Sequence, residues 1–167
     1  MSRLWTFKLI LKWMEGWSNF AVLILVQLLL FLLVAYSLKR KPIDWLRTLG
    51  IGILIGIPFG LSFDLALGKF FGLNSYILGF GLFFLTVNAV LSYGLFTATV
   101  LLLRKTSISS FILFNILIMA VYETTNIFFR VWMWEFTLPF IAFFTVLIIG
   151  YLGGATLVAM IGRRIFK

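Results

Sequence analysis

Two acidic residues, Asp64 and Glu123, are the best candidates for chemistry, because each lies near the C-terminal end of an apolar segment. A carboxylate there faces the negative end of the helix dipole, and an ionised acid at the membrane centre is unfavourable by about 2.5 to 3.5 kcal/mol on insertion scales. One interpretation is a pair of catalytic acids that donate a proton or stabilise a cation. The other is a pair of acids that reach toward nearby bases, Lys69 and Arg130.

Other reactive side chains are scarce. The chain has no histidine and no cysteine, so the commonest general base, thiol chemistry and the commonest transition-metal ligands are missing. We therefore expect neither a metal nor a cofactor.

Amide and hydroxyl side chains line two further apolar segments. They are Asn88, Ser92 and Thr99 on one face and Asn115, Tyr122 and Asn126 on the next. Hydrogen bonding between helices is their ordinary role in lipid, and a polar site between the two segments is the alternative. Two tryptophans farther on fit an interfacial aromatic belt, or stacking on a polyene or aromatic ligand. The candidate substrate-binding residues are Asn88, Tyr122, Asn126, Trp132 and Trp134.

The composition is that of an integral membrane protein. The 167 residues are 63% hydrophobic and 11% charged, whereas soluble domains are about half apolar and a quarter charged. The net charge of +9 lies in short loops and ends, where it sets orientation and contacts membrane lipid. Nucleic-acid binding is therefore not expected.

These residues must be positioned by membrane-spanning helices, each needing about 20 apolar residues to cross a hydrocarbon core ~30 Å thick. Five stretches qualify: 21–38, 45–67, 76–103, 107–129 and 136–161. The predicted fold class is all-α, a polytopic transmembrane helical bundle of about five spans plus an N-terminal interfacial amphipathic helix. Residues 21–167 form the single transmembrane domain.

Residues 1–20 are too polar to span comfortably. Apolar residues recur there at helical spacing and the charged residues Lys8, Lys12 and Glu15 share the other side, which is typical of an interfacial amphipathic helix. If this segment instead dips through the membrane, the count becomes six spans and the N-terminus moves inside.

The basic residues set the orientation. One side collects Lys39, Arg40, Lys41, Arg47, Arg104, Lys105, Arg163, Arg164 and Lys167. We expect that side to be cytoplasmic, in a multi-pass protein of the cell membrane with its C-terminus in the cytoplasm.

Small residues on the second span should bring Asp64 into the bundle. Gly52, Gly56 and Gly60 precede it at four-residue intervals, a spacing that lets helix backbones approach closely.

A stretch similar to the one around Asp64 also occurs later in the chain. Asp64 corresponds there to Glu123, and Phe70 corresponds to Phe129 at the same separation. Equal spacing suggests an internal repeat, with units at about 50–104 and 109–163.

The sequence around these two acids resembles the lycopene cyclase domain family of carotenoid synthesis. The resemblance covers residues 57–151. It rests on Ile57-Pro58-Phe59, Asp64, Asn74 and Tyr76-Ile77-Leu78-Gly79 in the first unit, and on Glu123, Val131-Trp132, Trp134 and Leu138-Pro139 in the second. It implies an isoprenoid or carotenoid ligand and, if the protein is an enzyme, an acid-catalysed cyclase or isomerase reaction with Asp64 and Glu123 as catalytic acids. The family's Pro-x-Glu-Glu run is replaced by residues 86–89 and 139–142, neither of which contains a glutamate.

Two other functions stay open. The chain also resembles the substrate-binding membrane subunits of energy-coupling factor transporters, which usually have six spans. Its small-residue stripes and 19% aromatic content further permit a non-catalytic assembly subunit of a larger membrane complex. Homo- or hetero-oligomers with other membrane proteins fit either hypothesis.

Overall fold

The protein is a helical bundle with one short pair of strands. The computed structural model describes residues 2–66, 74–76, 78, 81–134 and 140–166. In chain order its elements are α1 (Ser2–Ser37), α2 (Pro42–Phe63), β1 (Asn74–Tyr76), α3 (Leu82–Asn88), a π-helical segment (Ala89–Tyr93), α4 (Gly94–Leu103), α5 (Ile108–Phe129), β2 (Trp132–Trp134) and α6 (Phe140–Ile165).

Five helices in the described residues are long and apolar enough to cross a membrane. They cover Leu11–Ser37, Pro42–Ala66, Leu82–Leu103, Ile108–Asn126 and Ile148–Ile165. The third combines α3, the π-helical segment and α4 into one rod. This architecture confirms the predicted all-α bundle and its five spans.

Helix α1 is longer than predicted. It runs for 36 residues without a break at the expected boundary after residue 20, which at about 1.5 Å per residue exceeds the hydrocarbon thickness. The Trp17 and Phe20 rings each lie against the Phe84 ring of α3, with centroids 5.9 and 5.3 Å apart. The end of the predicted interfacial segment therefore belongs to the bundle. The interfacial placement of residues 1–20 as a whole stays a prediction.

Local signals fix several helix ends. Pro42 opens α2, and Asp44 in its first turn suits the positive end of the helix dipole. The Ser107 hydroxyl caps α5 by accepting from the Ser110 N–H at 3.3 Å. Helix α5 ends at Arg130, whose left-handed backbone donates its N–H to the Asn126 carbonyl at 2.6 Å.

Helix α4 forms the centre of the bundle. All ten of its residues, Gly94–Leu103, are buried, and it contacts α1, α2, α5 and α6. The other spans surround it, and they leave large apolar side chains such as Leu33, Leu54 and Leu117 exposed. Such side chains suit a hydrocarbon solvent, since lipid is as apolar as leucine.

The predicted glycine stripe makes the closest helix contact. A methyl group built on Gly52 would lie 2.6 Å from the Ala98 Cβ, and one on Gly56 would lie 2.7 Å from the Gly94 backbone nitrogen. Neither position has room for a side chain. The stripe thus sets the depth at which α2 enters the groove beside α4, and with it the position of Asp64.

Strands β1 and β2 join the two connections at one end of the bundle. They pair antiparallel, with Asn74 opposite Trp134, Ser75 opposite Met133 and Tyr76 opposite Trp132. The described basic residues among those predicted to be cytoplasmic lie at the other end, where the Arg163 Nε donates to the Arg104 carbonyl at 2.7 Å. We call these the strand end and the basic end. Lys167 lies outside the described residues.

Candidate functional site

Asp64 directly follows α2 and is completely buried. Its Oδ2 accepts a hydrogen bond from the Asn88 Nδ2 at 3.0 Å, and its Oδ1 accepts one from the Tyr93 hydroxyl at 2.7 Å. One turn earlier, a methyl group on Gly60 would lie 2.5 Å from the Tyr93 ring. The absence of a side chain at Gly60 therefore allows the tyrosine to reach the carboxyl.

The π-helical segment explains how one helix supplies both donors. Asn88 and Tyr93 are five residues apart, and a regular α-helix would turn them to different faces. Residues Ala89–Tyr93 form a π-helix, in which the hydrogen bond runs from residue i to i+5. This local widening brings both side chains onto Asp64, and single-turn π-bulges of this kind occur frequently at functional sites.

Aromatic rings of α2 surround the Tyr93 ring that binds the acid. The Phe59 and Phe63 rings lie 6.2 and 6.1 Å from the Tyr93 ring, and the two phenylalanines are stacked at 6.2 Å. Both phenylalanines are half-buried, so part of each ring faces the surroundings of the bundle. We call this group, Phe59, Phe63 and Tyr93, the aromatic patch.

A second polar group lies next to the first. The Gln27 Nε2 donates to the Ser92 Oγ at 3.1 Å, and the Ser92 hydroxyl shares a 2.5 Å hydrogen bond with the Tyr122 hydroxyl. The Gln27 Oε1 is buried without a hydrogen-bond partner in the described part of the chain. A cavity of about 10 Å³ bordered by Gln27, Thr99 and Tyr122 lies there, which is close to the room that one water molecule needs.

Glu123 belongs to the same region, although it is only half-buried. Its Oε1 accepts a hydrogen bond from the Tyr151 hydroxyl of α6 at 2.8 Å. The ring of the neighbouring Tyr122 meets the Tyr151 ring edge-on at 6.5 Å. Glu123 thus lies beside the second polar group, and Asp64 is linked to that group through the π-helical segment that carries both Tyr93 and Ser92.

The predicted site residues have different outcomes. Asp64 and Asn88 are in direct contact, and Tyr122 adjoins Glu123 in the second polar group. The Asn126 side chain is buried, one turn along α5. Trp132 and Trp134 lie in β2, where the structure describes the backbone alone, so their role stays a prediction. Of the two bases expected near the acids, Lys69 lies outside the described residues and Arg130 is an exposed residue that caps α5.

Three residues of the polar network were not among the predicted site residues. Tyr93 and Tyr151 bind the two acids, and Gln27 bonds to Ser92 from the first span. Gln27 carries a detectable signal, because it is the only amide in the first apolar stretch, 21–38. No sequence signal predicts the position of Tyr93. At α-helical spacing it would occupy another face of the helix, and only the π-helical segment turns it toward Asp64. In the described residues, no three acidic side chains come together as a metal site would require.

The fold and the site together define a class: a five-helix bundle suited to a membrane, with a buried network of carboxyl, amide and tyrosine groups near its strand end. No family model, no curated protein and no solved structure matches the chain. The function must therefore be argued from the site itself.

Proposed function

We propose that the protein binds an isoprenoid or carotenoid-like lipid against the aromatic patch. In this proposal Asp64 is the polar group that contacts the hydrocarbon chain of the lipid. The observation that carries this proposal is the complete burial of Asp64 beside Asn88 and Tyr93, together with the contact of the Tyr93 ring with two half-exposed phenylalanine rings. A ligand in the hydrocarbon would meet these half-exposed rings, and Tyr93 links them to the carboxyl.

The chemistry of this arrangement suits a polyene. Protonating a carbon–carbon double bond requires a carboxylic acid in an apolar site, and the resulting carbocation is stabilised by the faces of aromatic rings. In such a step the Asp64 proton is transferred to one carbon of the double bond. The cation closes a ring or shifts its double bond, and a neighbouring carbon then returns a proton to the carboxylate. Because the carboxylate regains in the last step the proton that it gave in the first, the reaction needs no cofactor.

Tyr93 is suited to two tasks in this proposal. Its hydroxyl fixes the orientation of the carboxyl, and its ring belongs to the aromatic patch. Glu123 is the weaker candidate for proton donor, because it is half-buried and lies on α5 with Tyr151. It directly follows Tyr122 of the second polar group, so in this proposal it is a second acid beside the network.

The direct test is expression of the full chain in a lycopene-producing host. Pigments from the membranes and from the purified protein are then separated by chromatography. We expect a new pigment, or lycopene that co-purifies with the protein, and loss of that signal in Asp64→Asn. Glu15→Gln is the matched control, because Glu15 is an exposed acid on α1 that belongs to neither polar group. Unchanged lycopene with no pigment on the wild-type protein would refute the proposal.

The transporter hypothesis has less support. The transporter subunits that the chain resembles usually have six spans, whereas the described residues contain five membrane-length helices. The assembly-subunit hypothesis stays a prediction.

A further inference from the structure

A second site lies at the basic end, far from Asp64. A cavity of about 210 Å³ opens there, between the ends of α1, α2, α4 and α6. Its lining consists of Arg40, Asp44, Arg47, Thr48, Leu102, Arg104, Lys105 and Phe166. We call it the basic pocket. Four of the eight side chains are cationic and one is anionic, so the pocket has an excess of positive charge.

Arg104 is the fixed centre of the basic pocket. It follows the last residue of α4 and is only 8% exposed. Its Nη1 donates to the Leu101 carbonyl at 2.6 Å, and its guanidinium lies 3.8 Å from the centroid of the Phe166 ring. These contacts hold the guanidinium plane in one orientation, which is how arginine recognises oxyanions.

Two guanidinium N–H groups in the basic pocket lack partners. The Nε atoms of Arg104 and Arg40 are buried, and neither has a hydrogen-bond partner in the described part of the chain. A buried donor without an acceptor is costly, and more so when it is charged. Both arginines use another nitrogen to bind a backbone carbonyl, so these backbone contacts do not satisfy the Nε–H groups.

The charges in the basic pocket also repel one another. Burial lowers the pKa of Arg104, and the nearby Arg40 and Arg47 lower it further, whereas Asp44 acts in the opposite direction. The one carboxylate does not balance four cations. An anion with several acceptor oxygens would relieve both the repulsion and the unmatched donors.

We infer that the basic pocket binds a phosphate group, that of an anionic membrane phospholipid. The pocket lies where the membrane-spanning helices end, at the level of the lipid headgroups. Basic pockets between transmembrane helices bind such headgroups. The volume is below the roughly 300 to 1,000 Å³ of pockets for drug-sized ligands, which suits a headgroup with its acyl chains outside.

The test measures thermal unfolding of the full-length protein by tryptophan fluorescence in lipid nanodiscs. One arm uses phosphatidylcholine alone, a second adds phosphatidylglycerol, and a third keeps the neutral lipid and adds inorganic phosphate. Ligands that bind the folded state raise Tm, and we expect phosphatidylglycerol to raise it by about 5 °C. We expect Arg47→Gln and Arg40→Gln to lose at least half of that shift.

Arg164→Gln is the matched control, because Arg164 is an exposed arginine at the same end that does not line the pocket. It should retain the full shift. Equal loss in Arg164→Gln would mean that the lipid acts on general surface charge, and the site would be rejected. No shift in the wild type would reject it too. An equal shift with inorganic phosphate in neutral lipid would overturn the assignment to a phospholipid.

Discussion

Asp64 shows how a buried acid is accommodated in an apolar bundle by neutral hydrogen-bond donors. Its two oxygens accept from an amide and a phenol of a single helix, and the phenol ring also contacts the phenylalanines of α2. The same side chain, Tyr93, thus contributes to electrostatics and to packing. This double use makes the residue a sensitive point for mutation.

We expect Asp64→Ala and Tyr93→Phe each to destabilise the protein, because each leaves a buried group without its partner. The typical cost of such a loss is about 1 to 3 kcal/mol. The two changes should be coupled by about 0.5 to 2 kcal/mol in a double-mutant cycle. The measurement is unfolding of the four proteins in the same detergent.

The control for this cycle is Tyr36→Phe, because Tyr36 is 77% exposed. It should change stability little and should not be coupled to Asp64→Ala. Additive effects of Asp64→Ala and Tyr93→Phe would show that the hydrogen bond between them contributes nothing.

At the scale of the elements, the glycine stripe and the π-helical segment act together. The stripe brings α2 against α4, and the π-helical segment turns Asn88 and Tyr93 toward the acid that follows the stripe. Removing either the glycine stripe or the π-helical segment should displace Asp64 from its hydrogen-bond donors, Asn88 and Tyr93. The stripe can be tested by adding a single methyl group.

We expect Gly56→Ala to destabilise the bundle by about 1 to 3 kcal/mol, the usual cost of overpacking. The new methyl group would contact the backbone of α4 at Gly94, and backbone atoms cannot rotate away. Gly50→Ala on the same helix is the control, since nothing lies within 4 Å of its added methyl. Equal unfolding midpoints for Gly56→Ala and the wild type would contradict the close packing.

Two correspondences bear on the predicted internal repeat. Asp64 binds a tyrosine 29 residues later and Glu123 binds one 28 residues later. The first interval contains the π-helical segment, and a π-bulge amounts to one inserted residue in a helix, so the difference of one residue has a structural explanation. Strands β1 and β2, which follow the two acids, pair with each other. The repeat stays a prediction, and these contacts support it.

Sequence reasoning succeeded where a pattern is long and local. Span length predicts the five helices, and four-residue spacing predicts the contact that Gly52 and Gly56 make. It failed for Tyr93, because one π-turn changes the face that a residue occupies. It also missed β1 and β2, since three residues carry no usable periodicity and their pairing joins distant parts of the chain.

At the scale of the whole molecule, five spans place residues 2 and 165 at opposite ends of the bundle. The basic residues near α4 and α6 gather at the end that holds the C-terminal helix terminus. The positive-inside rule then predicts a cytoplasmic basic end. The chain has no cysteine, which makes this prediction simple to test by labelling.

We expect Gly81→Cys at the strand end to react with a membrane-impermeant maleimide added to intact cells. Lys105→Cys at the basic end should react only after the cells are permeabilised. Both positions are exposed, so accessibility within the fold does not distinguish them. The reverse labelling pattern would invert the topology, and labelling of both positions in intact cells would contradict the five-span arrangement.

The burial of α4 has a consequence for biosynthesis. The innermost helix leaves the ribosome before α5 and α6, and Ser92 is made 30 residues ahead of Tyr122. At the usual ~5 to 20 residues per second, the nascent third span waits roughly 1.5 to 6 s for that partner. During this interval Asn88 and Ser92 already have Asp64 and Gln27 as partners, and the contact that is missing is the one between Ser92 and Tyr122. A chain truncated after residue 105 would therefore keep most of its buried polar contacts but would expose to lipid the faces of α4 that α5 and α6 cover.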